Sequence, residues 1–109
     1  MKSFHQGVYD RWAKYSLFEQ MANVGAEVGR VIAWRRRDRE ASRNAFYRAL
    51  ELLDLTAKCS VGKAQLREIL RVREVLVDYF AGGNVYHSTD EGWEKYFYPF
   101  NFAARQDRK

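Results

Sequence analysis

Apolar side chains return every three or four residues along most of this chain, and very little punctuates them. There is one proline, Pro99, and there are seven glycines in 109 residues. That period belongs to an amphipathic helix, whereas strands need alternation and frequent turns. A chain so rarely broken folds into a few long helices. The length is that of one domain, 1–109, large enough to bury a core without disulfides or a structural metal. The expected fold is all-α: an up-and-down four-helix bundle with a short or proline-kinked fourth helix.

Residues 1–11 read as a lead-in. Ser16-Leu17-Phe18-Glu19 has the pattern of a capping box, in which serine and glutamate exchange hydrogen bonds with each other's backbone N–H. The first helix starts there, or a turn earlier with Trp12 inside it. Leu17, Phe18, Met21, Val24, Val28, Val31 and Ile32 line one face. Asn23, Glu27 and Arg30 lie on the other side, Glu27 at the rim, and the helix fades at Arg35–Arg37. The second helix runs from Asp38 to Lys58, with Ala41, Ala45, Phe46, Ala49, Leu50, Leu52 and Leu53 inward and Asp54 paired to Lys58. The third spans Lys63 to Ala81 and stops at Gly82-Gly83. Ser88-Thr89-Asp90-Glu91 is a second capping-box pattern and opens the fourth helix. Its Trp93, Tyr96, Phe97 and Phe100 share a face, and Pro99 predicts a kink or a restart near Tyr98. Arg105–Lys109 reads as a frayed tail.

Within the first helix Ala22, Gly25, Ala26, Gly29 and Ala33 form a stripe of small residues. Each glycine costs a helix up to about 1 kcal/mol against alanine, so a neighbour must approach closely. That neighbour is another helix of the same chain or a second subunit.

Arg73 falls in the apolar face of the third helix, between Leu66, Ile69, Leu76 and Val77. A guanidinium keeps its charge and has to find a partner or water. Glu27, Asp90 or Glu91 could pair with it, or it waits for an anion. Arg71, Asp78 and Tyr79 lie on the flanks of the same helix and complete this candidate anion or partner site. Glu74 and Asp78 make a like-charge pair four apart, short of the three or more ligands a metal needs, so no metal or cofactor is expected.

The formal net charge is +5 and the isoelectric point about 9.5. Much of the excess sits in Arg35, Arg36, Arg37 and Arg39 and in the tail Arg105, Arg108 and Lys109. The first group is a candidate nucleic-acid patch and also suits a helix C-terminus. Aromatic residues make up 16% of the chain, and Tyr79, Tyr86, Tyr98 and Phe102 are the candidates for exposed contacts. His5 and His87 fall in irregular segments without grouped partners. Cys59 is the only cysteine, so there is no intramolecular disulfide, and no apolar run reaches the length of a membrane span. These features predict a cytoplasmic protein with no membrane contact. No phosphate-binding glycine loop, nucleophile elbow or metal motif is present.

Arg73-Glu74-Val75-Leu76-Val77-Asp78-Tyr79 resembles a degraded form of the signature of the HEPN family. These small all-helical domains often accompany minimal nucleotidyltransferases in toxin–antitoxin modules, and their active members are metal-independent ribonucleases. Their motif is an arginine, a polar residue, a short spacer and a histidine. Here Asp78 stands in the histidine's place and Glu74 in that of the usual asparagine. The resemblance therefore implies a non-catalytic helical partner or binding domain. The chain is also similar in general character to small four-helix bacterial chains of no assigned activity.

The first expectation is a non-catalytic interaction or assembly module that forms a homo-oligomer or binds a protein. The alternative is a nucleic-acid or nucleotide-binding module using Arg35–Arg39, Arg71 and Arg73. A degenerate HEPN-type ribonuclease is a third.

Overall fold

The computed structural model describes residues 4–106, which form five α-helices and no strand: α1 Phe4–Trp12, α2 Leu17–Trp34, α3 Arg39–Lys58, α4 Lys63–Ala81 and α5 Asp90–Gln106. The all-α class is as expected, but there is one helix more than the four anticipated. Residues 4–11 of the expected lead-in belong to α1. A nine-residue helix is marginal alone, and α1 is held by its last residue. The Trp12 indole N–H donates to Thr56 Oγ1 at 3.0 Å, and the Gln20 amide donates to the Trp12 carbonyl at 2.9 Å. Thr56 is fully buried and donates in turn to Leu52 O, so each polar group in this dry corner has a partner.

Local chemistry explains the helix starts. Ser16 is extended and exchanges both bonds of the capping box with Glu19, as the sequence predicts. Asp38 caps α3 by accepting from Ala41 N–H. Gly62 precedes α4 at φ +84°, a backbone that favours glycine. At α5 the cap is Thr89, whose hydroxyl accepts from Gly92 N–H, so the expected Ser88–Glu91 box is displaced by one residue. The fourth predicted helix is not short: α5 runs 17 residues and does not restart at Tyr98. Pro99 and Lys95, whose carbonyl loses its partner to the proline, are both exposed, so solvent can take that carbonyl. Arg105 and Gln106 of the expected tail complete α5, and 107–109 lie outside the described residues.

Neighbouring helices run antiparallel. Ser42 donates to Val31 O and Arg48 to Glu27 across α2 and α3, while Gly25 meets Phe97 and Arg35 meets Asp90 across α2 and α5. Asp54 with Arg73 and Phe46 with Phe80 set the same sense for α3 and α4. The core is built from Met21, Val24 and Val28 of α2, Ala49 and Leu53 of α3, Ile69, Val72 and Leu76 of α4, and Trp93 and Phe97 of α5.

On α4 the buried face is turned by about 70° from the expected one, given 100° per residue. Ile69, Val72 and Leu76 face the core, while Leu66 and Leu70 are exposed. Arg73 accordingly sits at the rim. Among the described residues no helix is long and apolar enough to cross a membrane.

Candidate functional site

The turn from α2 to α3 gathers the chain's densest positive charge. Arg35 ends α2, Arg36 and Arg37 form the turn, and Arg39 and Arg43 project from the first two turns of α3. Arg35, Arg39 and Arg43 line a cavity of about 320 Å³ between the end of α2, the start of α3 and the end of α4. Phe46, Tyr47 and Phe80 form its aromatic wall. Phe46 meets Phe80 edge-on at 5.7 Å and Tyr47 at 6.1 Å, so the wall is a continuous set of rings. No carboxylate lines it. Arg37 stands over the Trp34 ring at 5.4 Å, next to the same turn.

Arg35 is held in place. Both Asp90 oxygens lie 2.7 Å from its Nη2, and its guanidinium carbon sits 5.6 Å from the ring centres of Tyr79 and of Phe80. The Tyr79 hydroxyl donates to Asp90 Oδ1. Asp90 is the first residue of α5, Tyr79 belongs to the last turn of α4 and Arg35 caps the C-terminus of α2, so three helix ends are tied at one point. Burial would raise the Asp90 carboxyl, but the hydrogen bonds from Tyr79 and Arg35 and the charges of Arg35 and Arg36 outweigh it and hold it below the ordinary carboxylate range. Burial and the bond to Asp90 hold the Tyr79 hydroxyl above the ordinary tyrosine range, so it stays a neutral donor.

The residues singled out on α4 are dispersed rather than gathered. Arg73 Nε donates to Asp54 Oδ1 at 2.7 Å, so its partner is neither Glu27, Asp90 nor Glu91. Asp54 in turn meets Arg73 rather than Lys58. Glu27 is buried, not at a rim, and is held by Arg30 at 2.8 Å and Arg48 at 2.9 Å. Two arginines compensate its desolvation. Asp78 organises the following loop: its carboxylate accepts from Val85 and Tyr86 N–H, and its carbonyl from Gly82 and Asn84 N–H. Glu74 accepts from the Tyr86 hydroxyl. Arg71 is exposed, and Tyr79, expected at the surface, is half-buried in the clamp. Among the described residues no three His, Cys, Asp or Glu side chains converge. His87 is exposed on the loop at φ +57°, and the side chain of His5 lies outside the described residues.

The small-residue stripe divides. Gly25 is under Phe97, where an added Cβ would come within 2.8 Å of the Phe97 Cβ. That is the intramolecular neighbour. Ala22 is half-buried, while Ala26, Gly29 and Ala33 are exposed, with nothing within 4 Å of a Cβ built on Gly29.

Arg43, Phe46, Tyr47 and Phe80 were absent from the sequence-based site. A signal existed, since Arg39, Arg43 and Tyr47 recur every four residues and so share one stripe of α3. A comparison with protein families, with curated proteins and with solved structures found no match to this chain.

Proposed function

We propose that this chain is a non-catalytic helical interaction module and that its basic face binds nucleic acid. One observation supports the reading above others: Arg35, Arg39 and Arg43 share a cavity with an aromatic wall, beside Arg36 and Arg37 in the adjoining turn. Arginines that neutralise phosphates release counterions and give affinity independent of sequence. Tyr47, 53% exposed, adds a ring on which an unpaired base can stack. In this reading the four longer helices act as an up-and-down four-helix bundle that presents the arginines, α1 is an addition to it, and the cytoplasm is the compartment.

The test is fluorescence anisotropy with a short single-stranded RNA over a range of salt. About three phosphate contacts give a slope of log affinity against log salt near −2 for a single strand. Arg39→Ala and Arg43→Ala should each weaken binding and flatten that slope. Binding that is missing, or indifferent to salt, overturns the reading.

A second reading, self-association, draws on the exposed part of the small-residue stripe. Ala26, Gly29 and Ala33 leave room for a helix of a second copy to approach the α2 backbone.

A further inference from the structure

The shape and charge of the arginine cavity restrict what kind of nucleic acid it can take. A duplex offers a convex backbone with its bases already stacked on each other, so an aromatic wall set in a half-open cavity suits an unpaired base. The volume of about 320 Å³ lies at the small end of ligand pockets and is of the order of one nucleotide rather than a run of them.

The charge is equally selective. Three guanidinium groups line the cavity and one carboxylate, Asp90, stands behind Arg35, leaving a net two positive charges. An internal phosphodiester carries one negative charge, whereas a terminal phosphomonoester carries about 1.5 to 2 at neutral pH and three strong acceptor oxygens. Arg35 suits such a group because it is already oriented. Asp90 engages one of its three guanidinium nitrogens, and the Tyr79 and Phe80 rings support the plane. A preset fork loses less freedom on binding than a loose one. Arg39 and Arg43, one turn apart on α3 and exposed, supply the mobile arms.

We propose that the cavity seats a terminal nucleotide, its phosphomonoester on Arg35, Arg39 and Arg43 and its base against the wall formed by Phe46, Tyr47 and Phe80. This rests on the nucleic-acid reading of the basic face and makes it specific: the site senses the phosphorylated end of a single strand, or the same unit free as a nucleoside monophosphate.

The experiment compares one short single-stranded RNA carrying a 5′-phosphate, a 3′-phosphate or neither, with the intact chain. One phosphorylated form should bind at least about tenfold more tightly than the hydroxyl-ended strand, as expected for charge-assisted bonds to an arginine fork. Arg39→Ala and Arg43→Ala should erase that preference, and Tyr47→Ala should weaken all three strands alike. Both arginines and the tyrosine are exposed, so the variants should fold, which circular dichroism checks. Adenosine monophosphate added as competitor separates the sources by concentration: displacement at concentrations close to the strand's own Kd points to the free nucleotide, and displacement only at a large excess points to the strand end. Equal, salt-sensitive affinity for all three strands overturns the terminal-nucleotide proposal and leaves the basic-face reading standing. No salt-sensitive binding to any of them overturns both.

Discussion

Two glycines four residues apart on α2 have opposite roles, and the difference is measurable. Gly25 makes room for Phe97, with the Cβ, Cγ and Cδ1 of that ring all within 2.9 Å of where a methyl would stand. These atoms lie near the backbone of α5 and cannot swing aside. Gly25→Ala should therefore cost about 1–3 kcal/mol as overpacking, offsetting any gain in helix propensity. Gly29→Ala meets open space and should stabilise the monomer by up to about 1 kcal/mol. Urea unfolding of both variants checks this, and equal behaviour would sink the assignment. The stripe itself was legible in the sequence because its period is helical. Which of its members were covered was not, because that depends on where one ring from α5 arrives. Arg73 illustrates the same limit. Its neighbours Leu66 and Leu70 look like core on apolarity alone, yet both are exposed. On α4 it is Val72 that joins the core shared with Trp93 and Phe97 of α5, some twenty residues away, and no local pattern encodes that.

At the scale of elements, helix ends carry most of the sequence signal. Ser16, Asp38 and Gly82 mark boundaries correctly because capping is local chemistry. α1 carries no such local mark, because what holds it is Thr56, 44 residues from Trp12. The clamp of Arg35, Asp90 and Tyr79 is likewise long-range, and its pH dependence has a defined sign. The Asp90 carboxyl is depressed in the folded chain, so unfolding takes up a proton as pH falls. The stabilisation is complete above the unfolded value near 4 and is lost as pH falls through the folded one. Asp90→Asn should lower stability at neutral pH by about 1 kcal/mol, a small figure because both partners are 37% exposed and solvent screens them. Once the pH has fallen through the folded value of the Asp90 carboxyl, variant and wild type should converge, as the protonated aspartic acid then resembles the amide. Thermal melts at the two pH values decide it, and an unchanged neutral melting temperature would show that the clamp does not stabilise the fold.

For the whole molecule, the sequence conveyed the class and three of the helices nearly to the residue, yet it did not assemble the site. Arg35 and Phe80 meet only because α2 and α4 end at the same place, and no local pattern encodes that meeting. Assembly is the first expectation from the sequence, on the small-residue stripe, the aromatic residues and the absence of a catalytic cluster. With Gly25 inside the fold, self-association rests on the open surface of Ala26, Gly29 and Ala33 and on the exposed Tyr98 and Phe102. Light scattering at low and high salt tests it. If α2 faces a second copy, the wild type has a dimer's mass at both salts and Gly29→Arg returns it to a monomer without loss of helicity. A wild-type monomer at both salts removes that reading.

The three tryptophans divide the molecule into separately readable parts. Trp12 sits where α1 docks, Trp93 lies in the core, and Trp34 is 40% exposed under Arg37 at the arginine turn. Replacing any two by phenylalanine leaves one indole whose emission reports a single region. Trp34 alone then reports on the arginine turn through Arg37, Trp12 alone on the detachment of the N-terminal helix, and Trp93 alone on the opening of the core. Events at the arginine turn, local fraying and global unfolding thus become three distinct optical signals from three single-tryptophan variants.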